Sequence, residues 1–258
     1  MTVLLALTFL LLLMTMIVFK KSSLYMITGT FMNLGLFILL LFLISRGYSV
    51  YGTACFIFLG ITIVTLFYIN DINQKTLAAF ICVVGFLCFF SAVTIPLIQV
   101  LKTHGFLVEE LDELQMMDFT VSVPFSKLNF AIILMSFSGA VIDSSMAVSS
   151  STYEIYQRIK PLVWKEFLNS SLTVVQEIVS TTVNTLLFAF LGSSLGLIIW
   201  MQDLEYTLIE WINSQVLAGE LLISVLTCLA AIIVLPITSL VASYIFFHPK
   251  FFSKRSSM

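Results

Sequence analysis

Residues 24–45 read LYMITGTFMNLGLFILLLFLIS, a stretch of 22 residues without a charged side chain. About 20 consecutive apolar residues are enough for an α-helix to cross the ~30 Å hydrocarbon core of a bilayer. A helix that is apolar on every side is buried either in a large protein core or in a membrane. At this length, the stretch predicts a membrane-spanning helix.

Further stretches of the chain have the same character. Of the 258 residues, 60% are hydrophobic and only 10% are charged, whereas soluble domains have about 25% charged residues. We therefore predict an all-α, polytopic membrane protein with about seven transmembrane helices. The predicted spans run near 2–19, 24–45, 50–69, 76–101, 126–151, 169–201 and 216–247.

The spans form a single membrane domain over residues 1–258. We expect four spans in 1–101, two in 125–201 and the last span in 202–258. Amphipathic helices are expected to lie in the interface plane of the outer loops, in 105–119 and at the start of 202–258. Apolar residues recur there at helical spacing opposite acidic ones.

Lysine and arginine are distributed unevenly between the loops. If the N-terminus is outside, nine of them lie on the inner side and three on the outer side. Cytoplasmic loops carry the excess of positive charge in membrane proteins. This pattern predicts an outer N-terminus and a cytoplasmic C-terminus.

Several functions are disfavoured by the residues that the chain lacks. The loops are too short for a soluble domain, and no phosphate-binding or nucleic-acid motif is present. We expect no enzymatic activity, no cofactor and no nucleic-acid partner, with the lipid bilayer as surroundings. No metal site is expected either, because the histidines lie near helix ends and the cysteines lack ligand spacing. The cysteines are interpreted as small buried hydrophobic residues: Cys55, Cys82, Cys88 and Cys228.

Two carboxylates, Asp143 and Glu177, lie inside predicted spans. An acid in hydrocarbon is costly and usually has a function. Each lies 11 residues from the next acid towards the inner side, Glu154 and Glu166 respectively. That separation corresponds to roughly 16 Å of helix. The two carboxylates are therefore predicted to lie at similar depth, near the middle of the bilayer.

The fifth span is unusually polar around its acid. Ser136, Gly139 and Asp143 recur at helical spacing and share one face, where small residues would let another helix approach closely. The serines at 149–151 suggest a hydrated inner end.

The sixth span offers a matching face of hydroxyls, an amide and a carboxylate. Its members are Thr173, Glu177, Thr181 and Asn184, with Thr185 one position round the helix. Further along, Gly192 and Gly196 have the G-x-x-x-G spacing of closely packed helices.

These two faces predict that the fifth and sixth helices pack with Asp143 near Glu177. Two like charges in a medium of low dielectric constant disfavour joint ionisation, so one acid of a close pair is expected to hold a proton. We predict a proton or ion site of Asp143, Glu177, Asn184, Thr181 and Thr185. In the alternative, hydroxyls cap each acid and the acids only hold the bundle together. An aspartyl protease is excluded, because it needs two membrane aspartates.

Three stretches resemble the YibE/F family of bacterial membrane proteins, over roughly residues 125–200. They are Ser138–Asp143, Tyr153–Glu154 and, most specifically, Asn184–Ser194. The chain length suits the shorter, YibF-like branch. The resemblance implies a multi-pass plasma-membrane protein, often beside a longer YibE-like partner. Relatives often have a basic residue before an acid where this chain has Gln176, so a built-in salt bridge is not expected here.

A fainter similarity is to the membrane half of SecD and SecF, in the proton-driven RND superfamily. It rests on the order of Gly139-x-x-x-Asp143, Tyr153–Ile159 and Thr181–Gly192. In that superfamily, a G-x-x-x-D helix supplies the proton-carrying acid and two halves are needed. The similarity implies a homo-oligomer or a complex with a YibE-like chain.

Two functions follow as hypotheses. The first is an ion- or proton-coupled transport subunit whose cargo the sequence does not identify. The second is a non-catalytic assembly or regulatory subunit that partners a YibE-like protein.

Overall fold

The computed structural model describes residues 2–101, 125–159, 163–203, 207, 209 and 214–248. Within these ranges the chain is all-helical, which confirms the predicted fold class. The predicted interfacial helix of 105–119 lies outside the described residues, and most of the second one does too. Both interfacial helices and the orientation in the membrane stay predictions.

Seven helices follow one another along the described chain. In order they are α1 Thr2–Phe19, α2 Ser23–Ser45, α3 Val50–Ile63, α4 Gln74–Leu101, α5 Phe125–Ile159, α6 Trp164–Asp203 and α7 Gln215–Phe247. A π-helical segment, Val64–Ile69, continues α3.

The predicted spans coincide with these helices, but α5 and α6 are longer than predicted. Helix α5 continues past the predicted end at 151 to Ile159, and α6 begins at Trp164 rather than near 169. Hydropathy marks only the part of a helix that lies in hydrocarbon, because a helix needs no apolar side chains once it leaves the membrane. The serines and charged residues at the C-terminal end of α5 therefore predict a loop, although they continue the helix.

Among the described residues, six helices are long and apolar enough to cross a membrane, and these are α2 to α7. In α3 this length includes the π-helical segment. The chain therefore has the helices of a multi-pass membrane protein. Helix α1 is apolar over the shorter range Leu5–Phe19, so a seventh crossing stays a prediction.

Helices α2 and α3 meet at a glycine. A Cβ added at Gly29 would lie 2.5 Å from Ile69 Cγ1, so a larger residue there would have to displace the Ile69 side chain. One turn further along α2, Asn33 Nδ2 donates a hydrogen bond of 3.1 Å to Thr65 Oγ1 in the π-helical segment. The connection between the helices turns at Gly47, where φ is 83°, a value that other residues rarely adopt.

The core lies between α3, α4, α5 and α7, and it centres on aromatic rings of α3, α4 and α5. Phe137 on α5 is fully buried, and its ring centroid lies 4.4 Å from that of Phe90 and 6.0 Å from that of Phe58. Helix α5 contacts α3, α4, α6 and α7 and is therefore the central helix of the bundle. Helix α6 contacts α5 and α7 and lies at the edge of the bundle.

Candidate functional site

Asp143 faces a groove between α5 and α6. The cavity in this groove has a volume of about 270 Å³. We call it the α5–α6 groove, and its lining consists of Ala140, Asp143, Ser144 and Ala147 from α5 with Thr181, Thr182, Thr185 and Leu186 from α6. The structure thus brings Asp143 together with two of its predicted partners, Thr181 and Thr185.

Small side chains explain why the groove exists. Ala140 and Ala147 lie about one turn on either side of Asp143 and fill little space between the helices. Ser144 is buried beside them. Since the side chains of α6 at this level are mainly threonines, the two helices leave room for water or an ion around the carboxylate.

Two of the three threonine hydroxyls that line the groove present acceptor oxygens. Thr181 Oγ1 donates to the carbonyl oxygen of Ile178 at 3.0 Å, and Thr185 Oγ1 donates to that of Thr181 at 2.9 Å. Because each hydroxyl has one proton, both protons are used within α6, and only lone pairs remain for a ligand. Together with the Asp143 carboxyl group they form a set of oxygens that suits a cation or a protonated acid.

Asp143 is exposed within this groove, and it has no ion pair or hydrogen bond with any other described residue. A carboxylate held in a structural role would normally be paired or hydrogen-bonded within a membrane protein. The hypothesis that hydroxyls of the bundle cap Asp143 is therefore not supported by the described contacts. The carboxyl group remains available to a ligand.

Glu177 and Asn184 lie outside the lining of the groove. Both are exposed on α6, and Glu177 precedes the groove residue Thr181 by one turn. Four residues of helix advance the side chain by ~40° around the axis, so Glu177 lies at the margin of the groove. The direct pairing of Asp143 with Glu177 that the sequence suggested is thus not among the contacts of the described residues.

The residues predicted to lie at contacts between helices are exposed, with no described helix packed closely on the glycines among them. Ser136 is exposed, and a Cβ added at Gly139, Gly192 or Gly196 would meet no described atom within 4 Å. No helix of the described chain approaches closely at these glycines. Their role in packing stays a prediction, and it would require a second chain.

Buried hydroxyls join α5, α6 and α7 away from the α5–α6 groove. Ser171 of α6 lies 2.7 Å from Thr152 of α5 and 2.7 Å from Ser239 of α7, measured between hydroxyl oxygens. We call these three residues the hydroxyl junction. Because all three are buried, the junction holds the N-terminal half of α6 against the bundle.

Sequence reasoning missed this junction. It assigned the serines at 149–151 to a hydrated inner end, but Ser149 is buried and donates a hydrogen bond of 2.7 Å to the carbonyl oxygen of Lys75. The signal was present in the spacing, because Ser145, Ser149 and Thr152 recur at 4 and 3 residues and share one face. A buried face of hydroxyls and a hydrated one have the same sequence pattern.

The cysteines are all free, and their burial differs: Cys82 is buried, Cys55 and Cys228 are half-buried and Cys88 is exposed. The interpretation as buried hydrophobic residues is therefore wrong for Cys88, which the apolar lipid rather than the protein would surround. The described residues contain no group of three or more His, Cys, Asp or Glu side chains that could hold a metal ion.

Comparison with known proteins gives one clear result. No curated protein and no solved structure matches the chain, so the similarity to SecD and SecF stays a prediction. The family model described as YibE/F-like protein matches residues 7–248. This range covers every described span from α2 to α7 completely. The chain therefore belongs to the YibE/F-like family.

Proposed function

We propose that this protein is an ion- or proton-coupled transport subunit of the plasma membrane, not an enzyme, and that Asp143 carries the coupling ion. The observation that supports the proposal is the position of Asp143 in the α5–α6 groove, exposed to a cavity and without a described partner. An acid that must bind and release a cation needs both an open face and no permanent counter-ion. Asp143 meets both conditions.

The threonines of α6 complete the proposed site. Thr181 and Thr185 offer hydroxyl oxygens whose protons are already used within the helix, so they favour a positively charged ligand. Glu177 and Asn184 at the margin of the groove supply further polar groups next to the site. We propose that they assist the approach of the ion rather than hold it.

The experiment is proton movement in proteoliposomes that contain the purified chain and an internal pH-sensitive dye. Outward gradients of Na⁺, K⁺ or Li⁺ are imposed in turn, with choline as the inactive cation. We expect at least one gradient to change the internal pH, and Asp143→Asn to reduce that rate to the level of empty liposomes, because the amide cannot carry a proton.

Asp71→Asn is the matched control. Asp71 lies between α3 and α4 with φ of 59°, a conformation that asparagine accepts as readily as aspartate. This variant makes the same chemical change outside the groove and should transport as the unmodified chain does. Equal rates in the Asp143→Asn and Asp71→Asn variants would refute the proposed role of Asp143.

A second function is favoured by the face of α6 that the rest of the described chain does not cover. Glu177 and Asn184 are exposed in a helix that is long and apolar enough to span the membrane, where polar groups facing lipid are costly. Contact with another membrane chain, either a YibE-like protein or a second copy, would remove that cost. In this case the chain is an assembly or regulatory subunit, and the acids are structural.

Co-purification separates the two functions. The chain is expressed with and without a YibE-like protein, and the mass of the complex in detergent is measured for the unmodified chain and for Asn184→Leu. A complex that depends on Asn184, together with unchanged ion flux in Asp143→Asn, would favour the assembly function over transport.

A further inference from the structure

A second cavity lies between α5 and α6, nearer to the connection between the two helices. Its volume is about 340 Å³, and one water molecule needs only ~10–15 Å³ of such space. We call it the entry cavity, and its lining consists of Ser151, Glu154, Ile155, Arg158 and Val174. Glu154 and Arg158 are exposed and charged, so this cavity is hydrated.

The entry cavity and the α5–α6 groove follow the same faces of the two helices. Ala147 of the groove and Ser151 of the entry cavity are four residues apart, which is one turn or about 6 Å along α5. On α6, Val174 of the entry cavity precedes Thr181 of the groove by two turns. The two cavities are therefore stacked along one path.

An isoleucine lies on α6 between the two cavities. Ile178 is one turn from Val174 and one turn from Thr182, and it is half-buried against the apolar cluster of Val148, Val175 and Leu235. An apolar side chain between two hydrated spaces forms a constriction that passes or excludes water depending on its width. Ile178 lies between Val174 and Thr182 on that face of α6.

We propose that the space between α5 and α6 is a one-sided water route to Asp143. It enters between Glu154 and Arg158, narrows at Ile178 and ends in the α5–α6 groove, whose lining stops at Leu186. The distribution of positive charge predicts that the entrance is cytoplasmic. The use of the route rests on the proposed function, since it would bring the coupling ion to Asp143.

The test is the reaction of introduced thiols with a membrane-impermeant cationic methanethiosulfonate in native membranes. Ala147→Cys and Ser151→Cys place thiols along the route, and Ala92→Cys places one on the exposed, apolar surface of α4. Only the thiolate reacts, and apolar surroundings keep a thiol protonated. Labelling is mapped by peptide mass spectrometry, so the four native cysteines need not be replaced.

We expect the thiols at positions 147 and 151 to react at least about tenfold faster than the thiol at position 92. The reaction should occur in inside-out vesicles and be absent in right-side-out vesicles. Labelling of position 147 no faster than of position 92 would show that lipid fills the groove, and it would overturn the route. Equal labelling from both sides would overturn its one-sidedness.

The constriction is tested with a matched pair in the Ala140→Cys background. Ile178→Ala and Val179→Ala each shorten a side chain that packs on the same apolar cluster, but only Ile178 lies between the cavities. We expect Ile178→Ala to increase labelling at position 140 several-fold and Val179→Ala to leave it unchanged. Equal effects would remove Ile178 from the route.

These measurements are independent of transport. If thiols along the route are labelled but Asp143→Asn retains normal flux, the route stands and the proposed function fails. If Asp143→Asn abolishes flux but the thiols stay unlabelled, the function stands and the route fails.

Discussion

Helices α5 and α6 resemble each other in sequence but differ in their surroundings. Each is long and apolar enough to span the membrane, and each carries one acid within its predicted span, 126–151 or 169–201. Yet 56% of the residues in an apolar 18-residue stretch of α5 are buried inside the chain, against 6% in the corresponding stretch of α6. The acidic residue therefore has a different role on each helix, since α5 forms the centre of the bundle and α6 forms its edge.

The difference changes the meaning of the two acids. Asp143 projects from the central helix into a cavity that a second helix closes on one side. Glu177 projects from the outer helix at the margin of that cavity, on a face that no described helix covers. Placing either acid in hydrocarbon is costly. For Asp143 this cost supports a ligand-binding site, and for Glu177 it supports a position at the edge of the groove or at a contact with another chain.

The largest expected effect concerns this pair of acids. We expect Asp143→Asn to stop ion-driven proton movement and Glu177→Gln to slow it only several-fold, because Glu177 lies outside the groove lining. The measurement is the initial rate of internal pH change in proteoliposomes. Complete loss in both variants would restore the directly paired acids that the sequence suggested.

The next effect compares phenylalanines on the two helices. Phe137 of α5 is 0% exposed and Phe188 of α6 is 69% exposed. We expect Phe137→Ala to reduce the free energy of unfolding by about 2–3 kcal/mol, below the ~3–5 kcal/mol of soluble cores, because helices separated in lipid keep their apolar surroundings. Phe188→Ala should change it by less than about 0.5 kcal/mol.

Both free energies are obtained from reversible unfolding in mixed micelles. A cost for Phe188→Ala that approaches the cost for Phe137→Ala would mean that another chain covers the outer face of α6. The contrast between a buried α5 and an exposed α6 would then hold for the single chain and not for its assembled form.

A smaller effect is expected at the hydroxyl junction. Ser171→Ala leaves Thr152 and Ser239 without their shared partner, and we expect a loss of about 1–2 kcal/mol in the free energy of unfolding. Ser170→Ala is the control, because that hydroxyl bonds only the carbonyl oxygen of Glu166 in its own helix. Equal losses in the two variants, measured in the same micelles, would contradict a role of the junction in fixing α6.

The smallest effect is expected at the glycines. Gly139→Ala on α5 and Gly192→Ala on α6 add a methyl group where no described atom lies within 4 Å. We expect each to change the free energy of unfolding by at most about 1 kcal/mol, in the stabilising direction because alanine favours the helix. A marked destabilisation, or loss of a complex on gel filtration, would show that a second chain packs there.

The site was predictable in part. The side chains that meet in the groove, Asp143 with Thr181 and Thr185, follow from polar residues at helical spacing on two adjacent spans. Helical spacing could not predict that Glu177 lies outside the lining of the groove. A face of ~100° on a helix includes both its groove side and its exposed side, and only the rotation of α6 separates them.

The sequence by itself determined that this protein consists of helices apolar enough to cross a membrane, and roughly where six of them lie along the chain. That information is local, because hydropathy and helical period depend on neighbouring residues only. The tertiary structure decided which acid faces a cavity and which serines are buried. Those outcomes depend on the contacts that fix the rotation of α6, such as Ser171 between Thr152 and Ser239, which join residues far apart in the chain.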